Sequence, residues 1–323
     1  MISPTLEQLR TTADFIHSVL PPTPQIRWPL LCQRTGAEVW VKHENHQPVG
    51  AFKVRGGLVY MNELKQREPD VAGVIAATRG NHGQSIAFAA GRTGLRAVIV
   101  VPHGNSVEKN AAMQALGAEL VVQGNDFQDA LEYARELAEK EQLHFVPSFA
   151  EQLVRGVASC AIELFDNVAD LDAVYVPIGM GSGVCGLIAA RNTLGLNTEV
   201  IGVCATGAPA FALSFEAKRQ ISTDVVNTMA DGISCRVPDP LALEIVLSGA
   251  ARIVTVTDDE IRAAICYLFA DTHNVAEGAA AAPLAALLRE RSRMQGRRVA
   301  LIHSGGNIDS DLFAATLLGQ SKQ

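Results

Sequence analysis

The feature that most limits the fold is a repeated alternation along the chain. Apolar runs rich in Val and Ile occur at residues 38–41, 73–76, 97–101, 119–122, 144–146, 173–178, 199–203, 252–256 and 298–302. They are apolar almost throughout rather than at every second residue, the pattern of strands covered by helices on both faces of a parallel sheet. Between them, residues 106–116, 127–141 and 258–272 read as helices. The last follows Thr257-Asp258-Asp259-Glu260, a hydroxyl N-cap with acidic residues at the positive end of the helix dipole. A chain of such units is α/β, and its ligands belong at the carboxyl ends of the strands.

Dividing 323 residues by about 150 per domain predicts two domains. No Gly/Ser linker marks a border, so the division is expected to be discontinuous. The strand near residue 300 comes late in the sequence, and no appended regulatory domain is expected after it. Lys plus Arg number 27 against 34 Asp plus Glu, a net charge of −7 without the basic stripe that would hold nucleic acid. The longest apolar stretches, such as 97–101 and 279–288, fall short of the roughly 20 residues that cross a bilayer. The start, Met1-Ile2-Ser3-Pro4, lacks the basic region and apolar core of a secretory signal. Six cysteines at 32, 160, 185, 204, 235 and 266 form no C-x-x-C pair and read as reduced core thiols of a cytoplasmic protein.

Four segments carry candidate chemistry, each ending a strand or opening a helix. The first is Gly50-Ala51-Phe52-Lys53-Val54-Arg55-Gly56, where Lys53 is either a surface lysine or a partly desolvated amine able to form a Schiff base. His43 and His46 stand just before it, without the spacing or third ligand of a metal site. The second, Thr78-Arg79-Gly80-Asn81-His82-Gly83, places backbone amides at a helix N-terminus, where they can hold a carboxylate or merely make a tight turn. In the third, Gly179-Met180-Gly181-Ser182-Gly183, the glycines let amides close on a phosphate. Residues 181–186 match G-x-G-x-x-G, but the next strand has its only acid, Glu199, at the wrong end for a dinucleotide ribose. The fourth, His303-Ser304-Gly305-Gly306-Asn307, is alone only a glycine-rich turn, and no G-x-S-x-G elbow supports a hydrolase.

Taken in order, from about residue 20 to about residue 310, the four segments resemble the fold-type II pyridoxal-phosphate enzymes, and among them the serine/threonine dehydratase branch. The resemblance implies a tryptophan synthase β-like α/β fold with two open, twisted, mostly parallel sheets flanked by helices. It implies a large cofactor domain of residues 1–67 and 148–323, a small substrate-side domain of residues 68–147, and a homodimer. Pyridoxal 5′-phosphate is the implied cofactor and a small β-hydroxy amino acid the implied substrate. Lys53 matches the Schiff-base lysine and Phe52 the residue packed beside the cofactor ring. Asn81 matches the partner of the ring oxygen, and Ser304 the residue facing the pyridine nitrogen. Gly179, Met180, Gly181, Ser182 and Gly183 match the phosphate loop, and Glu277 an acid near the ring. Thr78, Arg79, Gly80, Asn81 and His82 fall on the substrate-carboxylate turn.

The implied chemistry is elimination: the freed Lys53 amine takes the Cα proton, and the cofactor disperses the charge left behind. A hydroxyl at Ser304 cannot protonate the pyridine as an Asp would, which favours prompt loss of a β-hydroxyl. Three positions depart from the family pattern. Met180 and Ser182 replace glycines of the phosphate loop, where backbone amides remain. Ala51 stands where serine is common. Arg79 replaces the serine that is the second acid/base of the related racemases. A guanidinium is a poor base, so racemisation is disfavoured, and Arg79 is either a solvent-facing turn residue or a group that attracts a second carboxylate, as in 3-hydroxyaspartate. The stretch 204–210 holds no carboxylate, so no divalent metal is expected. An amino-acid racemase, a β-replacement synthase and a non-catalytic binding protein are the alternatives to a dehydratase acting on L-threonine, L-serine or a close analogue.

Overall fold

The computed structural model describes residues 4–319. Residues 1–3, part of the start read above for a signal, and residues 320–323 lie outside the described residues. Ten strands form: β1 (Gln25–Arg27), β2 (Glu38–His43), β3 (Gly73–Ala77), β4 (Arg96–Val101), β5 (Glu119–Val122), β6 (His144–Phe145), β7 (Ala173–Pro177), β8 (Glu199–Ala205), β9 (Arg252–Val256) and β10 (Arg298–His303). They make two sheets, one of six strands in the order β1-β2-β10-β7-β8-β9 and one of four in the order β5-β4-β3-β6. All pairings are parallel except that of β1 with β2. Each of the nine apolar runs becomes a strand. The extra strand, β1, has only three residues and follows a Pro-rich stretch, too short for periodicity to reveal.

Central strands β3 and β7 are buried at every residue, as continuous apolar runs require when both faces are covered. The helix Gly278–Arg289 packs under the six-stranded sheet with Ala279 to Ala282 all buried, since side chains without bulk let helix and sheet approach closely. The helix Asp258–Thr272 opens with a capping box in which Thr257 accepts from the Glu260 amide and Glu260 accepts from the Thr257 amide. Helices Lys53–Arg67 and Glu151–Asn167 cross with almost no gap. A Cβ on Gly156 would stand 2.5 Å from the Arg55 carbonyl oxygen, and one on Gly56 would stand 2.8 Å from that of Leu153.

This crossing frames a cluster of four buried charges. Arg55 donates to Glu44 at 2.7 and 2.9 Å and to Glu163 at 2.6 and 2.9 Å. Lys42 pairs with Glu163 and donates to the Thr23 carbonyl at 2.7 Å. Lys42, Glu44 and Arg55 are fully buried and Glu163 nearly so. Burial opposes ionisation of Glu44, yet the Arg55 guanidinium outweighs it and holds the carboxyl down at about 2. Two cations and two anions thus cancel inside the protein, and the cluster ties β2 to both helices.

Candidate active site

A cavity of about 570 Å³ opens at the carboxyl ends of strands from both sheets. Every residue singled out for a site lines it: Phe52, Lys53, Thr78, Arg79, Gly80, Asn81, His82, Gly179, Met180, Gly181, Ser182, Gly183, Glu277 and Ser304. The two sheets therefore bring together side chains separated by up to 250 positions in the chain.

Lys53 is the first residue of its helix, delivered by a chain path fixed to the turn after β10. The Phe52 amide donates to the Ser304 carbonyl at 3.0 Å, the Gly306 amide to the Gly50 carbonyl at 2.9 Å, and Ala51 bridges Gly305. Gly50 has φ +66°, and a Cβ there would meet Asn307 Oδ1 at 2.5 Å, so this turn needs glycine. The Lys53 side chain is half-buried, and its amine donates to Ser182 Oγ at 3.1 Å and lies 5.3 Å from the centre of the Phe52 ring. Burial pushes its pKa down to about 8, which makes the neutral, nucleophilic amine accessible near neutral pH.

Ser182 opens the helix Ser182–Thr193 directly after β7. Its N-cap, Gly181, has φ +101° and no side chain caps the first turn, so the leading amides face the cavity as donors for an anion. A Cβ on Gly179 would stand 2.2 Å from the Gly232 carbonyl oxygen, and one on Gly183 would rest against the Phe52 ring at 3.7 Å. The loop is a close-fitting cradle, and Met180 and Ser182 keep its amides in place of glycine's.

Across the cavity, Thr78 Oγ1 accepts from the amides of Gly80 at 2.9 Å and Gly83 at 3.2 Å, which shapes the turn before the helix Asn81–Thr93. Asn81 donates to Glu277 Oε1 at 2.7 Å and accepts from Asn307 Nδ2 at 2.8 Å. Burial raises the Glu277 carboxyl to about 6 and lowers His82, further disfavoured as a cation by Lys53, to about 3. His82 is therefore a neutral imidazole whose Nε2 has no partner. His43 and His46 do not face this cavity: His43 stacks on His46 at 5.1 Å, faces His303 at 5.6 Å and accepts from the Trp28 indole at 3.0 Å. Among the described residues no group of three or more His, Cys, Asp or Glu is arranged to hold a metal.

Lys109 and Asp231 are participants that motif reading missed, and Asn307 stood in the fourth segment without a role. Asn307 had a visible signal, since it closes a Gly-Gly-Asn turn after a buried strand. Lys109 and Asp231 had none, being single charges on a helix and a loop.

A desolvated amine beside a phosphate-sized cradle of amides, with a hydroxyl and an amide flanking the space between them, is the donor set of an enzyme that carries pyridoxal phosphate. Lys53 fits the covalent anchor, and the amides of the 179–183 loop fit the phosphate. Comparison with known proteins agrees. Residues 16–305 match the family described as pyridoxal-phosphate dependent enzyme, and the chain belongs to that family. It is 33% identical over 310 residues to the L-threonine ammonia-lyase of Thermotoga maritima, covering 96% of this chain and 77% of that one. It is also 33% identical over 280 residues to the catabolic L-threonine dehydratase of Escherichia coli, covering 86% and 85%. The solved structure of the processed form of threonine deaminase isoform 2 from Solanum lycopersicum superposes with a TM-score of 0.88 at 28% identity, covering 98% and 94%.

Proposed function

We propose that this pyridoxal-phosphate enzyme is a dehydratase, an ammonia-lyase that removes water and ammonia from L-threonine, L-serine or a related β-hydroxy amino acid. The observation that carries the reading is the desolvated Lys53 amine, lowered to about 8 and aimed at Ser182 on the opposite wall. Threonine ammonia-lyases and dehydratases among its relatives support the choice of reaction.

The roles follow from position. The amides and side chains of Thr78, Gly80, Asn81 and His82 hold the substrate carboxylate, and the neutral state of His82 leaves that turn without a second charge. The amides of 179–183 would hold the cofactor phosphate, Asn81 and Ser304 would orient its ring, and Phe52 would pack beside it. When bound, the cofactor supplies an electron sink for the Cα–H bond as it breaks. Lys53, released as a neutral amine, takes the Cα proton, and the β-hydroxyl leaves with a proton as water. The resulting enamine tautomerises and is hydrolysed to a 2-oxo acid and ammonia. Glu277, near 6, accepts from Asn81 and fixes the orientation of that amide in the cavity wall. The racemase alternative lacks a base on the far face, where Arg79 stands. The reading also divides the chain into a large domain of residues 1–67 and 148–323 and a small one of residues 68–147, supported by the confinement of the four-stranded sheet to strands within 73–145. A cytoplasmic homodimer completes the proposal, supported by family resemblance and by cysteines that are all free.

The test is 2-oxo acid release by the purified, cofactor-loaded protein from L-threonine and L-serine. Oxo acid with an equal amount of ammonia is expected; D-amino acid without oxo acid would move the assignment to a racemase.

Cofactor capture should itself depend on pH. Only the neutral Lys53 amine attacks an aldehyde, so loading of the cofactor-free protein should speed up about tenfold per pH unit below about 8 and level off above it. The rise of visible absorbance after mixing with pyridoxal phosphate measures this. A rate flat from pH 6 to 9 would show that Lys53 is not the attacking group.

A further inference from the structure

Arg79 stands beside the carboxylate turn in a charge arrangement that the reaction described so far does not use. Its Nε is buried without a hydrogen-bond partner, while its side chain as a whole is 39% exposed into the cavity. Asp231 Oδ1 lies 3.5 Å from that nitrogen, and Asp231 Oδ2 accepts from Lys109 Nζ at 3.2 Å. Lys109 is 11% exposed, and its aliphatic stem lies over Gly80, where an added Cβ would meet Lys109 Cδ at 2.6 Å. Arg79 and Lys109 therefore both face Asp231, and the Glu277 carboxyl lies near enough to Lys109 to feel its charge. Asp231 belongs to the short turn Asp231–Ile233, whereas Arg79 lies in the turn after β3 and Lys109 on the helix Val107–Ala115.

A substrate with a neutral side chain would leave the Arg79 Nε–H without an acceptor in a partly closed space. A second carboxylate on the β-carbon would accept from Arg79, whose planar fork suits it. The α-carboxylate would meet the amides of the same turn.

We infer that Arg79, backed by Lys109 and opposed by Asp231, is a specificity-determining residue that selects β-hydroxy-α-amino acids carrying a second, distal carboxylate. The inference rests on the dehydratase reading for its turnover and not for its binding. In the reaction the Cα–H and Cβ–O bonds break and water leaves. Hydrolysis of the imine tautomer of the enamine then consumes one water and gives a 2-oxo diacid and ammonia. No oxidant or reductant enters.

Two measurements on the cofactor-loaded protein test this. The first compares oxo-acid release from threo-3-hydroxyaspartate, L-threonine and L-serine in the wild type, Arg79→Gln and Asp231→Asn. The second is the calorimetric affinity of L-aspartate against L-alanine, neither of which has a β-hydroxyl to lose. The diacid should exceed threonine in kcat/KM by about tenfold or more, and Arg79→Gln should lower that ratio by about 10²-fold. Asp231→Asn removes the internal competitor and should raise it. L-Aspartate should bind about tenfold tighter than L-alanine, with the difference lost in Arg79→Gln. Turnover of threonine with the diacid inert and aspartate bound no better than alanine would overturn the selectivity and leave the dehydratase reading standing. An Arg79-dependent aspartate preference with no oxo acid from any substrate would keep the selectivity and overturn the dehydratase reading. An equal loss on all substrates in Arg79→Gln would overturn the assignment of selectivity to this residue.

Discussion

Replacing Lys53 by alanine should lower oxo-acid release by at least about 10²- to 10⁴-fold while the protein stays folded. The activity falls because the same amine anchors the cofactor and takes the Cα proton, so one substitution removes two functions. The fold should survive because, among the described residues, Lys53 enters no ion pair; its amine donates to Ser182 Oγ and lies over the Phe52 ring. The backbone here is secured independently, by Phe52 to Ser304 and by Ser85 Oγ to the Lys53 carbonyl at 2.7 Å. A desolvated amine without an anionic partner costs free energy, so the variant should unfold at equal or higher urea than the wild type. Steady-state kinetics with urea unfolding separate the two effects. A loss below about tenfold would remove Lys53 from the mechanism.

Glu163→Gln should do the opposite, destabilising the protein by about 3–5 kcal/mol. The change leaves Lys42 and Arg55, both fully buried, facing Glu44 alone, two cations against one anion. Glu163 also accepts from the Thr23 amide at 3.2 Å and meets His17 at 2.8 Å, so several bonds are lost with the charge. The urea midpoint reports the cost. Adding Arg55→Met should recover part of it, because that variant restores one cation against one anion, and the double-mutant cycle measures the coupling. A midpoint unchanged by Glu163→Gln would mean that the cluster is hydrated and its charges screened.

The alternation of apolar runs was enough to place nine of the ten strands, and the four glycine-bearing segments were enough to collect the cavity wall, because both signals are local. What escaped was long-range. Lys42, Glu44, Arg55 and Glu163 are charged residues, for which exposure is the ordinary expectation, and only the crossing of two helices at Gly56 and Gly156 buries them together. Arg79 could be marked as unusual from its place in a motif, but its partners come from residues 109 and 231. His43 and His46, which lack the spacing of a metal site, stack on each other, and His43 also makes ring contacts with Trp28 and His303, partners that no local pattern announces.

The position of β10 has a consequence for how the protein is made. It lies between β2 and β7 in the six-stranded sheet, and Arg298 reaches back to Glu38 across 260 positions of chain. A ribosome therefore releases β2 and β7 long before the strand that joins them exists, whereas β3 to β6 can pair as they emerge. Until then the nascent chain carries two open strand edges, and Lys53 has no Ser304 to be fastened to. The late strand both seals those edges and completes the site, so an interrupted translation product would be inert and prone to aggregate.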